Sequence, residues 1–139
     1  MPSFHHTIDI AATAQQVWAV LGDLTSVDRW IPGVTSVTRT GTGRTCTFDD
    51  GHVQQEQILD YSPTTHSYRY VIDGAPLPVR DNTGTFAVED TDNGSRVVWE
   101  SSFVPLDPAG ADELARMWEP YLPVVLASLK KVVEDDAAR

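Results

Sequence analysis

Hydrophobic and polar residues alternate along most of the chain, which predicts a protein built mainly of β-strands. Residues 3–10 place Phe4, His6, Ile8 and Ile10 on one side, with the period of two that a strand requires. Turn residues such as Gly, Asp, Asn and Pro separate six further alternating segments. These predicted strands cover residues 34–40, 44–48, 52–61, 67–72, 79–89 and 96–104.

Helical signals occur in two regions of the chain. After the first strand, Thr13 and Gln16 form a capping box that predicts a helix ending near Gly22, and a second short helix is predicted over 26–30. A long helix is predicted from the Asp107-Pro108 cap to about residue 135. Its apolar stripe consists of Leu114, Trp118, Tyr121, Leu122, Val125, Leu129 and Val132.

Two further expectations concern the prolines of this last helix and the polar end of the chain. Pro120 and Pro123 each remove a backbone hydrogen bond, so we expect them to bend or loosen the first half of the helix. We expect the polar tail, residues 134–139, to fray.

Together these elements predict one α+β domain over residues 1–139. A curved antiparallel sheet with one apolar face needs a cover, and the C-terminal helix has the length and the stripe to supply it. The inner face mixes aromatic side chains with Ser, Gln and Asn, which is typical of a ligand cavity with a few convergent polar groups.

Composition narrows the possible partners. The net charge of −10 argues against nucleic acid or an anionic membrane surface. The single cysteine excludes an internal disulfide, and no apolar run approaches the ~18–20 residues of a membrane span. No signal peptide is visible, so we expect a cytoplasmic protein. We also expect the protein to need no cofactor. The oligomeric state does not follow from the sequence.

One hairpin, residues 44–56, carries the strongest functional signal. With its turn at Asp49-Asp50-Gly51, antiparallel register places Arg44 opposite Glu56 and their side chains on one face. Burying such a pair is expensive for stability alone, because desolvating two charges often costs more than their attraction returns. The hairpin therefore predicts a site. The residues sharing the face are Arg44, Cys46, Phe48, His52, Gln54 and Glu56.

These residue types suit proton transfer. Glu56 is the predicted general base, while Arg44 favours its carboxylate form and could bind a substrate oxygen. Tyr70 would help to hold that oxygen. The alternative is a cross-strand ion pair that faces solvent and stabilises the fold by only ~0–1 kcal/mol.

Further residues are expected to shape the pocket. The predicted ligand-binding set is Cys46, Phe48, Gln54, Tyr68, Asn82, Trp99, Phe103, Trp118, Tyr121, Leu122 and Val125, with an ordinary core role as the alternative. Cys46 reads as a small apolar filler, and His52 as a surface residue near the turn. Residues 74–78 could frame an entrance. Because His5 and His6 point to opposite faces of a strand, we expect no metal site.

The chain resembles the START-like (SRPBCC) helix-grip superfamily, which includes the Bet v 1-type proteins and the polyketide cyclase/dehydrase group. The resemblance covers nearly the whole chain. It implies a hydrophobic ligand held between the sheet and the C-terminal helix. The segments that carry it are Ile8-Asp9-Ile10, Ala14 to Trp18, Val20 to Asp23, Trp30 to Val34, Arg44 to Cys46, Asp50-Gly51, Glu56, Pro78 to Arg80 and Val98 to Phe103.

Within this superfamily the pattern is similar to that of the plant lachrymatory factor synthases. That resemblance implies proton transfer by a cavity Arg and Glu, matched by Arg44 and Glu56, with Tyr70 matching a nearby tyrosine. A second tyrosine of the pattern falls on Asn82, which argues against the sulfenic-acid chemistry itself.

Three functions fit the sequence. The first is a cofactor-independent cyclase, dehydratase or isomerase that acts on a hydrophobic carbonyl compound such as a polyketide. The second is a binding or carrier protein for a hydrophobic small molecule, such as a lipid or polyketide. The third is an interaction subunit with an incidental cavity, which a collapsed cavity beside an exposed apolar patch would favour.

Overall fold

The strands form a single antiparallel sheet in the computed structural model, which describes residues 2–74 and 77–139. Its order is β1-β7-β6-β5-β4-β3-β2, so the first strand of the chain lies beside the last. The strands are β1 (Ser3–Ile10), β2 (Val34–Thr40), β3 (Gly43–Phe48), β4 (Val53–Ser62), β5 (Ser67–Asp73), β6 (Val79–Thr91) and β7 (Gly94–Pro105). All seven predicted strands are thereby confirmed.

The segment between β1 and β2 forms one helix and one 3₁₀ turn. Helix α1 (Ala14–Leu21) begins at Thr13, and both hydrogen bonds of the predicted capping box with Gln16 are present. The second predicted helix is a single 3₁₀ turn, Val27–Arg29. Both contribute buried aliphatic side chains to the hydrophobic core, among them Val17, Leu21 and Val27.

The long C-terminal helix is divided in two, where the sequence predicted one bent helix. Helix α2 (Ala111–Trp118) ends before Pro120, and helix α3 (Tyr121–Ala137) begins after it. Pro120 lacks the N–H that would continue α2, which explains the break. Pro123 lies in the first turn of α3. Backbone N–H groups in the first turn have no acceptor within the helix, so the missing N–H of Pro123 costs no hydrogen bond.

The predicted fraying of residues 134–139 is wrong for most of that tail. Helix α3 continues to Ala137, and two of its acidic side chains hold it to the rest of the fold. Glu134 accepts a hydrogen bond from the Ala11 N–H at 2.8 Å, and Asp136 pairs with Arg29 at 2.8 Å. These contacts fix the end of α3 against the start of the chain.

Helix α3 covers the concave face of the sheet. Its buried side chains are Leu122, Val125, Leu126, Leu129 and Val133. Together with the inward residues of the strands they form one hydrophobic core. This curved seven-stranded sheet with its C-terminal helix is the helix-grip fold that the sequence predicted. No helix among residues 2–74 and 77–139 is long and apolar enough to cross a membrane.

Candidate functional site

A cavity of about 370 Å³ lies between the concave face of the sheet and helices α2 and α3. This volume is near the lower end of the range of about 300–1,000 Å³ that is usual for small-molecule sites. The cavity is not collapsed, so the signature of an incidental cavity in an interaction subunit is missing. Exposed lining residues, among them Pro32, Asp49 and Met117, mark its opening.

The predicted hairpin register is confirmed. Strands β3 and β4 pair Arg44 with Glu56 and Cys46 with Gln54, as the sequence indicated. Beyond this ladder, the rings of Phe48 and His52 stack with their centroids 4.2 Å apart. His52, which the sequence placed at the surface, is half-buried and lines the opening of the cavity.

Arg44 and Glu56 form a buried ion pair, so the solvent-facing alternative is wrong. Arg44 is 1% exposed and Glu56 is 7% exposed. Arg44 Nη2 and Nε both donate to Glu56 Oε1, at 2.9 and 3.2 Å. Arg44 Nη1 donates to the Leu24 carbonyl at 2.9 Å, and Nη2 also reaches the Tyr68 hydroxyl at 3.5 Å.

The two oxygens of Glu56 differ in their surroundings. Oε1 accepts both hydrogen bonds from Arg44, whereas the contact of Oε2 among the described residues is the Cys46 thiol, 3.8 Å away. A thiol is a weak donor, so Oε2 keeps its capacity to accept a proton or a hydrogen bond. Glu56 is also one of the residues that line the cavity.

Most of the N–H groups of Arg44, by contrast, already donate hydrogen bonds to protein acceptors. Of its five N–H donors, one on Nε, two on Nη2 and one on Nη1 have partners, which leaves one. Burial alone would lower the pKa of Arg44, but Tyr68 and Glu56 outweigh it and hold the pKa above its ordinary value. Its positive charge is therefore a permanent neighbour of the carboxylate.

Tyr70 presents a neutral phenol to the same cavity. Its hydroxyl accepts a hydrogen bond from Trp99 Nε1 at 2.8 Å, and burial raises its pKa. No group among the described residues accepts the Tyr70 proton, so the hydroxyl can donate to a ligand. Gly84 lies opposite Tyr70 in the β5–β6 ladder, and a Cβ at that position would overlap the Tyr70 ring.

Cys46 is an inert thiol at this site. It is 1% exposed and lines the cavity next to Glu56. Burial and the nearby Glu56 carboxylate raise its pKa to about 12. Because the thiolate is the reactive form, a nucleophilic role is disfavoured, in agreement with the predicted role as a small apolar filler.

Aromatic rings form a further part of the cavity wall. Phe86 stacks on Trp99 at 4.8 Å, and Trp118 meets both Trp99, at 6.4 Å, and Tyr121, at 5.4 Å. Burial, with a smaller contribution from Glu56, raises the pKa of Tyr121 to about 12, so its phenol is also neutral.

Most of the predicted site residues lie together in the cavity wall. These are Arg44, Cys46, Phe48, Gln54, Glu56, Tyr70, Asn82, Trp99, Trp118, Tyr121 and Val125. Three predicted ligand-binding residues do not line it. Tyr68 lies behind Arg44, with its ring centroid 5.7 Å from Arg44 Cζ, Phe103 packs on Phe4, and Leu122 is fully buried in the core.

Several residues that line the cavity were not predicted from the sequence. Phe86 and Ile72 share the inner face with Asn82 and Tyr70, so the period of two could have identified them. Residues 31–33 lie in an irregular segment without a periodic signal, Val34 is the first residue of β2, and Met117 lies next to the helix break. Of the predicted entrance, Leu77 lines the cavity, whereas residues 75–76 lie outside the described residues.

The described residues contain no group of three or more His, Cys, Asp or Glu side chains that could hold a metal ion. The polar groups that converge on the cavity are instead a carboxylate, a guanidinium, phenols and amides. Such a set can move a proton and stabilise charge on a ligand oxygen.

A helix-grip domain with a polar cluster inside an apolar cavity defines a class of ligand-binding and catalytic proteins. The family model described as "Polyketide cyclase / dehydrase and lipid transport" matches residues 1–134, and the chain belongs to this family. A search of curated proteins gave no match.

Solved structures share the fold over almost the whole chain. XoxI from Bacillus cereus is 26% identical, with a TM-score of 0.86, and the match covers 97% of each chain. The di-domain ARO/CYC BexL of the BE-7585A biosynthetic pathway is 22% identical, with a TM-score of 0.84, over 96% of this chain and 47% of BexL. Norcoclaurine synthase from Thalictrum flavum, in complex with dopamine and hydroxybenzaldehyde, is 18% identical, with a TM-score of 0.76, over 96% of this chain and 87% of that one.

Proposed function

We propose that the protein is a cofactor-independent enzyme of the cyclase or dehydratase type, which transfers a proton on a hydrophobic carbonyl compound bound in the cavity. The observation that carries this proposal is the unequal environment of the two Glu56 oxygens. Arg44 donates two hydrogen bonds to Oε1, whereas Oε2, on a side chain that lines the cavity, has only the Cys46 thiol as a partner among the described residues. A carboxylate arranged in this way is oriented and has one oxygen free to act as a base.

The proposed first step is removal of a proton from the carbon next to the ligand carbonyl. Glu56 Oε2 takes the proton, the C–H electron pair forms the enolate double bond, and the carbonyl oxygen gains the negative charge. The Tyr70 hydroxyl is a suitable donor to that oxygen, because it already accepts from Trp99 and has its own proton to give.

Ring closure would follow from the same groups. The enolate carbon attacks a second carbonyl of the ligand, which forms a C–C bond and leaves an alkoxide. Glu56 returns its proton to that alkoxide, so the carboxylate is restored and no other reactant is consumed.

Arg44 is assigned a positioning role. Its donors are mostly occupied by Glu56, Leu24 and Tyr68, which supports holding Glu56 in place more than binding a substrate oxygen. This differs from the sequence expectation, in which Arg44 could contact the substrate.

The comparisons support this class of reaction. The family description includes polyketide cyclase and dehydrase, and BexL is an ARO/CYC protein of a biosynthetic pathway. Norcoclaurine synthase holds two small aromatic compounds in the same fold. A compact ring compound also suits a cavity of about 370 Å³ lined by Phe86, Trp99 and Trp118.

The second candidate is a carrier that binds a hydrophobic molecule without chemistry. The family description also includes lipid transport, and most of the lining is apolar. A carrier needs no basic carboxylate, so removing the charge of Glu56 separates the two candidates.

Exchange of an acidic C–H proton is the test. We expect the protein to accelerate deuterium incorporation at C1 of 2-tetralone in D₂O, followed by NMR, with binding followed by quenching of Trp99 and Trp118 fluorescence. Glu56→Gln should reduce exchange at least ~100-fold, the lower range of general-base effects, while affinity stays within a few-fold. Glu100→Gln is the matched control, because that side chain is 65% exposed on the outer face of β7. Binding without exchange in the unmodified protein would contradict the enzyme and favour the carrier.

A further inference from the structure

Asn82 is a polar side chain with an unexplained position in the cavity wall. It lies on the inner face of β6, is 4% exposed, and has Ile72 as its cross-strand neighbour. Its Oδ1 is fully buried and has no hydrogen-bond partner among the described residues. An unsatisfied buried amide destabilises a folded protein, so its presence calls for a reason other than stability.

The backbone next to Asn82 is also unusual. Asp81 has a φ of +52°, and the β6–β7 register shifts between Arg80 and Thr83, which is the signature of a β-bulge with one extra residue on β6. The bulge lets Arg80 point outward, where it pairs with Asp81 at 2.9 Å, while Asn82 stays on the inner face. A positive φ at a non-glycine residue is a strained state, and such states concentrate at functional sites.

Asn82 and Tyr70 lie near each other on the inner face. Tyr70 pairs with Gly84, two residues beyond Asn82 on β6, so the two side chains are diagonal neighbours. Glu56 pairs with Ile72, which places Glu56 and Asn82 on either side of Ile72 in one row across the sheet. A ligand whose carbonyl lies at Glu56 and Tyr70 would therefore have Asn82 beside it on the same face of the sheet.

A hydroxyl group is the ligand function that suits an amide at this position. It can donate to the amide oxygen and accept from the amide N–H, so it pairs with either end of the side chain. An ether oxygen can only accept, and a C–H can do neither. The same group would satisfy Asn82 Oδ1, which has no hydrogen-bond partner among the described residues.

We infer that Asn82 is a specificity residue that binds a hydroxyl group on the substrate, so the substrates are hydroxylated aromatic or enolic carbonyl compounds. This inference rests on the proposed function only in taking the cavity as the substrate site. Asn82 touches the ligand away from the reacting carbon, and it is a binding group without a part in proton transfer.

Binding of simple naphthalenes tests this inference without any chemistry. We expect the protein to bind 2-naphthol at least about tenfold more tightly than 2-methoxynaphthalene or naphthalene in calorimetric titrations, the discrimination usual for a buried hydrogen bond. Asn82→Leu, which is nearly isosteric, should abolish this preference and leave naphthalene binding within about twofold. It should also raise the melting temperature, because an unsatisfied amide is removed.

Controls keep the outcomes distinct. Thr85→Val removes a polar group from the outer face of the same strand and should leave the preference unchanged. Asn82→Val serves if the leucine side chain does not fit. An equal affinity of the unmodified protein for all three naphthalenes, or a preference that survives both Asn82 variants, would overturn the inference. If the preference for 2-naphthol instead disappears in Glu56→Gln, the hydroxyl binds at Glu56 and this inference is wrong. The proposed function is then still tested separately by the deuterium-exchange assay.

Discussion

Removing Arg44 should be far more costly than removing any exposed arginine of the sheet. In Arg44→Met, the Glu56 carboxylate loses both hydrogen bonds to Oε1 while it stays 7% exposed. Breaking a buried ion pair by deleting one partner costs about 3–5 kcal/mol. The Leu24 carbonyl also loses its donor, which adds to the loss.

The chain contains a matched control on the outer face of the same sheet. Arg96 and Asp9 also form a cross-strand pair, at 2.7 Å, but their side chains are 42% and 67% exposed. Exposed pairs contribute only about 0–1 kcal/mol, so Arg96→Met should have a small effect. Arg44→Met and Arg96→Met therefore each remove one cross-strand ion pair, and the two pairs differ mainly in how deeply they are buried.

The assay is urea unfolding at pH 7, followed by far-UV circular dichroism and tryptophan fluorescence to check that the two probes agree. A double variant, Arg44→Met with Glu56→Leu, should recover most of the lost free energy of unfolding, because an apolar replacement of a buried pair is often neutral or stabilising. An Arg44→Met variant that loses no more free energy than Arg96→Met, or a double variant as unstable as Arg44→Met, would refute the buried-pair argument.

Two further predictions concern the groups around the pair. Burial raises the pKa of the Cys46 thiol and the Tyr121 phenol to about 12, so the folded protein keeps protons that the unfolded chain releases near pH 8.5 and pH 10. The melting temperature should therefore fall as the pH rises from about 8.5 toward 12. The variant Cys46→Ala should delay the start of that fall. A melting temperature that stays constant up to about pH 11 in the unmodified protein would be inconsistent with burial of these two groups. Gly84→Ala should cost about 1–3 kcal/mol in urea unfolding, because its methyl group displaces the Tyr70 ring and leaves Trp99 Nε1 without its acceptor. Gly110→Ala, where a Cβ meets nothing within 4 Å, should change stability by only a few tenths of a kcal/mol, and equal effects at both positions would contradict the assigned packing.

The hairpin could be predicted from the sequence because a turn and a period of two define every pairing within it. Once Asp49-Asp50-Gly51 is the turn, Arg44 must face Glu56, and Phe48 and Cys46 show which face is buried. The same reasoning extends along each strand to Tyr70 and Asn82. The core of the site was therefore available from short-range patterns.

The parts that could not be predicted depend on contacts between distant segments. The Leu24 carbonyl, which accepts from Arg44, lies in a loop without any periodic signal. The C-terminal helix divides at Pro120, and Leu122, which the sequence assigned to the cavity wall, packs in the core instead. The positive φ of Asp81 has no signature in the sequence, since aspartate is ordinary in β-turns and at strand ends.

A crystal structure of the protein with 2-tetralone bound would show directly whether Glu56 is placed to act as the base. We expect the ketone to lie in the cavity, with its carbonyl oxygen within hydrogen-bond distance of the Tyr70 hydroxyl and its C1 atom facing Glu56 Oε2. The Arg44–Glu56 pair should be unchanged, with both donors still on Oε1. A ketone bound with its carbonyl at the cavity opening, near Asp49 and His52, and with Glu56 Oε2 away from any C–H of the ligand, would refute the proposed role of Glu56.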